Sequence, residues 1–113
     1  MLEKTRRLTR QKDFEKVFKQ GRSSYSKALG VKVLANQLKN NRYGIIISTK
    51  VSKKSTDRNK LKRQIRQAVR LIDNRLVQGL DLAITVLPAM LGQEYMMIKS
   101  ELERILIKLK LLK

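Results

Sequence analysis

Histidine, cysteine and tryptophan are all missing from the 113 residues, proline occurs once, and the aromatic side chains are three Tyr and two Phe. Without a thiolate or an imidazole there is no zinc knuckle, disulfide framework, thiol nucleophile or imidazole general base, which removes the side-chain sets of most small hydrolases and metalloproteins. Acidic residues are scarce too: nine Asp and Glu stand against 27 Lys and Arg, a formal net charge of +18. The five glycines match no dinucleotide or P-loop pattern. The acidic pairs Asp13 with Glu15 and Glu101 with Glu103 lie two apart on predicted helices and so point apart, which argues against a two-carboxylate metal or acid-base site and predicts solvated side chains. No apolar run approaches the length of a membrane span, and the first twenty residues hold no signal-peptide core, so the chain reads as cytoplasmic, with no membrane partner and no small-molecule substrate.

What is present suffices for one packed domain spanning residues 1–113: a hydrophobic fraction of 42% and a length inside the usual single-domain range. Charge is unevenly spread. Residues 23–49 hold four basic and no acidic side chains, residues 50–70 hold nine and one, and residues 71–113 hold six and five. Nine cations in so short a segment repel one another, a cost that an anionic partner would relieve.

Apolar spacing predicts an α+β fold in the order αββαβα. Phe14, Val17 and Phe18 sit at helical spacing, with Thr9 as cap and Gly21 as stop. Leu29 to Ala35 alternates as a strand, and Tyr43 to Thr49 forms a second around Ile45, Ile46 and Ile47. The Asn-rich stretch 36–41 between them reads as a hairpin loop. Leu80 to Leu87, between Gly79 and Pro88, is the third strand, and residues 93–112 a closing amphipathic helix. Tyr25 and Tyr43 read as ordinary strand or loop-edge residues. A helix over 58–72, capped by Ser55, Thr56 or Asp57, separates the second and third strands. The pattern suits a mixed sheet with helices on one face, and handedness statistics alone favour a right-handed crossover.

That helix carries the functional signal. At about 100 degrees per residue, Leu61, Ile65, Ala68, Val69 and Ile72 form one stripe, while Arg58, Lys62, Arg66, Asn59, Arg70 and Arg63 fill the adjoining sector. A helix basic only for solubility would spread its cations and interleave Glu at i, i+4. Arg58, Lys60, Lys62 and Arg63 also crowd the first two turns, where the macrodipole disfavours each cation by about 0.3 to 1 kcal/mol and phosphate reverses that sign. Nucleic acid is the partner this favours. A helix-turn-helix needs a tightly linked partner helix, whereas strands flank this one on both sides, so structured RNA is preferred over DNA.

The segment Arg58-Asn59-Lys60-Leu61-Lys62-Arg63-Gln64-Ile65-Arg66 closely resembles the signature of the protein subunit of bacterial ribonuclease P. Asp13-Phe14 with Val17-Phe18 and Gly21, Arg42-Tyr43-Gly44, Gly79-Leu80-Asp81 and Leu102 in the closing helix extend the likeness over nearly the whole chain. The resemblance implies an α-β sandwich with a left-handed βαβ crossover, against the statistical default. It also implies that the partner is a catalytic RNA cleaving the 5′ leader from precursor tRNA with magnesium held largely by the RNA. Arg58, Asn59, Lys62, Arg63, Arg66 and, beside them, Arg70 would contact that RNA. A cleft between the first helix and the sheet would hold the single-stranded leader, with Phe14 and Phe18 as its floor and Lys50, Lys53 and Lys54 beside it; no catalytic residue is expected in the chain. Lys32 stands where many members place an aromatic, and Thr49-Lys50 where many place paired lysines. The alternatives are a non-enzymatic or ribosome-associated RNA-binding protein, and a membrane-surface helix over Ile105 to Lys113, where Lys and Leu alternate.

Overall fold

A computed structural model describes residues 4–112. The chain forms α1 (Gln11–Gln20), β1 (Arg22–Tyr25), β2 (Leu29–Ala35), β3 (Arg42–Ile46), α2 (Ser55–Ile72), β4 (Leu80–Val86) and α3 (Tyr95–Lys108), with single 3-10 turns at Lys4–Arg6, Asp73–Arg75 and Pro88–Met90. The sheet order is β1-β2-β4-β3, with β2 antiparallel to β1 and β4, and β3 parallel to β4. The fold is thus α+β around a mixed sheet.

Four strands replace the expected three. β1 escapes the sequence pattern because Arg-Ser-Ser-Tyr is a mostly exposed edge strand with no apolar alternation. The stretch 36–41 is not a hairpin: β4 lies between β2 and β3. β4 is buried on both faces at Leu82, Ala83 and Ile84, which is why it reads as a continuous apolar run, as a central strand should. The asparagines have other partners. Asn36 Oδ1 accepts from the Leu38 N–H at 2.7 Å, closing a local turn, and Asn41 Oδ1 accepts from the Leu80 N–H at 2.8 Å, tying the loop to the start of β4.

The helices also occupy both faces. Leu29, Val31 and Val33 of β2 and Leu82, Ile84 and Val86 of β4 pack with Leu61, Ile65, Ala68, Val69 and Ile72 of α2 and Ile98, Leu102, Ile105 and Leu106 of α3 in the main core. α1 covers the opposite face, where Leu8, Val17 and Ala83 form a smaller core with Phe14, Leu34 and Ile46 against it. The α2 stripe is the one expected from its periodicity. α3 turns its apolar face inward, and Leu109, Leu111 and Leu112 are buried as well, so the membrane-surface reading loses its apolar face; Lys113 lies outside the described residues.

The crossover from β3 through α2 to β4 is left-handed. The Leu87 N–H donates to the Ala28 carbonyl at 3.0 Å and the Asn36 N–H to the Gly79 carbonyl at 2.9 Å. Odd-numbered positions of β4 therefore bond toward β2, and Leu82, Ile84 and Val86, whose side chains meet α2, bond toward β3. For L-residues this sets β3 to the right of β4 when the sheet is viewed from α2 with both strands pointing up, so the connection steps leftward.

Element ends differ from expectation where side-chain caps were assumed. α1 begins at Gln11 after Arg10, not Thr9, and α2 begins at Ser55 after Lys54; neither has a side-chain cap bond. Ser55, Thr56 and Asp57 are thus the first turn of α2, with Asp57 accepting from Ser52 Oγ at 2.8 Å. β3 stops at Ile46, and α3 spans a shorter stretch than its apolar periodicity suggested.

Candidate nucleic-acid interface

The expected cation band exists and is not neutralised from within. Arg58, Lys62 and Arg66 are half-buried beside the apolar stripe of α2, whereas Asn59, Arg63 and Arg70 are exposed further round the helix. Arg58 donates to the Ser52 carbonyl at 2.8 Å, which anchors it across the turn before α2. Among the described residues no ion pair engages Arg58, Lys62, Arg63, Arg66 or Arg70, while Asp13, Asp73, Asp81, Glu101 and Glu103 are paired elsewhere.

Those partners explain motifs that carried the family likeness. Arg42 grips Asp81 with a bidentate fork at 2.8 and 2.7 Å and also reaches Asp13 at 3.4 Å. The pair holds β3 to β4 directly opposite in register and raises the Arg42 pKa above its ordinary value, chiefly through the hydrogen bond to Asp81. Tyr43, read as an ordinary strand or loop-edge residue, lies in β3 and is only 3% exposed. Its hydroxyl donates to Asp73 at the end of α2, and Arg6 also pairs with Asp73. Buried Asn41 joins the same cluster, donating to the Val77 carbonyl at 2.9 Å. Burial, then the bond to Asp73, pushes the Tyr43 pKa well above its ordinary range. Gly44 leaves room for Phe14, whose ring lies against it. Asp13, Glu101 and Glu103, expected to be solvated, are all in ion pairs, with Arg42, Arg104 and Arg75 respectively. Periodicity misses long-range pairs of this kind, since partners 39 or 29 positions apart, as Arg42 with Asp81 and Arg42 with Asp13, leave no local pattern.

The chain before α1 runs along the outer edge of β3, with a parallel bridge between Arg7 and Tyr43 and the Leu8 N–H on the Tyr43 carbonyl at 2.8 Å. Next to it opens a groove of about 260 Å³ whose lining includes Phe14, Gly44, Ile45, Lys62 and Arg66. The other expected leader residues stand elsewhere. Phe18, 39% exposed, lies beside Lys32 of β2. Lys32 Nζ sits 5.3 Å from its ring centroid and donates to the Phe18 carbonyl at 3.1 Å, a geometry that suits a cation over an aromatic face. Lys50, Lys53 and Lys54 are exposed on the turn between β3 and α2 and do not line the groove.

A family profile described as ribonuclease P matches residues 2–110. The chain is 41% identical over 105 residues to the ribonuclease P protein component of a Synechocystis species, covering 92% of this chain and 85% of the relative. It is 35% identical over 113 residues to that of a Pseudanabaena species, covering 99% and 97%. Among solved structures, a Staphylococcus aureus RNase P protein mutant with defective mRNA degradation activity superposes with a TM-score of 0.90 at 26% identity, covering 96% of this chain and 92% of that one. The RNase P protein from Thermotoga maritima gives 0.82 at 26%, covering 90% and 96%.

Proposed function

The chain belongs to the bacterial ribonuclease P protein family, as a subunit of the endoribonuclease of tRNA processing with RNA as partner, and from that premise we propose how its parts divide the work. The band on α2 docks against the catalytic RNA through Arg58, Asn59, Lys62, Arg63, Arg66 and Arg70. The α1 side of the sheet, with Phe14, Phe18, Lys32 and the lysines at 50, 53 and 54, meets the single-stranded 5′ leader of precursor tRNA. The observation that carries this reading is a row of guanidinium and ammonium groups left without carboxylate partners while Asp13, Asp73, Asp81, Glu101 and Glu103 are all paired. Lysine and arginine contacts to phosphate supply affinity and position without reading sequence.

Chemistry stays with the RNA and its magnesium. Asp73 and Asp81 are committed to Arg6 and Arg42, which leaves neither carboxylate free to hold a magnesium ion beside phosphate. By screening repulsion between two polyanions, the +18 chain lets the RNA hold its substrate at lower magnesium.

Titrating the RNA subunit against the chain over a range of salt tests the docking role. Arg63→Ala with Arg70→Ala should weaken binding and flatten the log–log salt slope by about 0.7 to 0.9 for each lost phosphate contact. Unchanged affinity and slope would remove those arginines from the interface.

A further inference from the structure

We infer that Asp13 is a positioning residue for leader binding: paired with Arg42, it sets where α1 holds the Phe14 ring over the sheet, and it touches no RNA itself. This rests on the leader reading above and goes beyond it by giving a role to a carboxylate in a chain of net charge +18.

α1 is held lightly. It is ten residues long, has no side-chain cap bond and buries one residue, Val17. The core beneath it is small, Leu8, Val17 and Ala83 with Phe14, Leu34 and Ile46 against them. Apolar burial is non-directional, so contact of this extent keeps α1 on the sheet without fixing its angle. Polar ties near its two ends supply direction. Asp13 pairs with Arg42 of β3 at 3.4 Å, and the Lys32 ammonium of β2 donates to the Phe18 carbonyl at 3.1 Å.

The first tie is in register with Phe14. Asp13 and Phe14 are neighbours on α1, while Arg42 and Gly44 are alternate residues of β3 and share one face of the sheet. Asp13 meets Arg42, and the Phe14 ring lies against Gly44. Arg42 is itself fixed from β4 by its fork on Asp81 at 2.8 and 2.7 Å, so Asp13 ties the first turn of α1 to the centre of the sheet. Without that tie α1 keeps its link at Phe18 and can turn about Val17, which carries Phe14 away from the place where a base would stack. A displacement of about 1 Å is enough to lose much of the benefit of a preorganised group.

The sign of the effect separates positioning from plain electrostatics. Asp13 does not line the groove beside Phe14, and its charge repels phosphate. Electrostatics alone therefore predicts tighter RNA binding for Asp13→Asn, and positioning predicts weaker. A partly exposed ion pair adds little to stability. Arg42 keeps Asp81 in the Asn variant, so no buried charge is stranded and the fold survives.

The test uses the complex of the full chain with a bacterial ribonuclease P RNA and two precursor tRNAs, one with a long leader and one trimmed to a single leader nucleotide, over a range of salt. Asp13→Asn, its fold checked by circular dichroism, should weaken the long-leader substrate about fivefold, near the low end of what one stacked base contributes. The log–log salt slope should not change, because no phosphate contact is lost. Affinities for the short-leader substrate and for the RNA subunit should stay within about twofold, as for sites that do not couple. Asp13→Glu keeps the pair with Arg42 and should retain most of the long-leader advantage. Glu15→Gln removes the same charge from the exposed side of α1 and should not weaken the long-leader substrate. Equal or tighter long-leader binding by Asp13→Asn, or equal weakening of both substrates, overturns the positioning role. Absence of any long-leader advantage in the unaltered complex overturns the leader reading itself.

Discussion

Phe14 and Gly44 fit each other as plug and socket: a Cβ built on Gly44 would lie 2.2 Å from Phe14 Cζ. Gly44→Ala must therefore push the ring off its seat, at about 1 to 3 kcal/mol for an overpacked contact. Urea unfolding should show that loss, and the loss should shrink in the Phe14→Ala background, where no ring remains to collide. Equal losses in both backgrounds would mean the pair is not coupled.

Arg42 holds the most enclosed carboxylate of the sheet. Asp81 is 6% exposed and takes both prongs of the guanidinium. Arg42→Ala strands that charge and should cost about 2 to 4 kcal/mol. Arg42→Lys should recover only part of it, because one ammonium cannot reproduce a fork. Chemical denaturation of the three proteins checks the ranking; full rescue by lysine would contradict the geometric account.

Tyr43 gives the chain an alkaline limit. Its folded-state pKa is raised by burial and by donation to Asp73, so the folded chain keeps a phenolic proton that the unfolded chain, titrating near pH 10, gives up. This contribution is intact below about pH 10 and is lost as pH rises beyond it, at up to about 1.4 kcal/mol per pH unit. Stability curves for the unaltered chain and Tyr43→Phe should run parallel from pH 7 to 9.5 and converge above pH 10; curves that stay parallel would show that Tyr43 does not titrate late.

Most of what lies within one element was legible in the sequence. The five positions of the α2 stripe are its five buried residues, because a 3.6-residue period shows which side meets the sheet. β2 was bounded at Leu29 and Ala35 for a similar reason, its alternation being complete. What failed depended on distant residues. No local feature of 36–41 says that β4 will enter between β2 and β3, nor that Asn41 bonds to Leu80 instead of closing a turn. The crossover hand went against the statistical default and followed the family resemblance. Phe14 and Phe18 share a helical face in sequence, yet the structure sets one against Gly44 and the other under Lys32, and only tertiary packing separates them.

The band on α2 is tested most directly by reconstitution. At magnesium low enough that a bacterial ribonuclease P RNA alone is slow, release of the 5′ leader from precursor tRNA is timed with the unaltered chain and with a variant in which Arg58, Lys62, Arg63, Arg66 and Arg70 are all Ala, its fold checked by circular dichroism. The unaltered chain should accelerate leader release and the folded variant should not; equal acceleration by both would contradict an RNA-gripping role for these five cations.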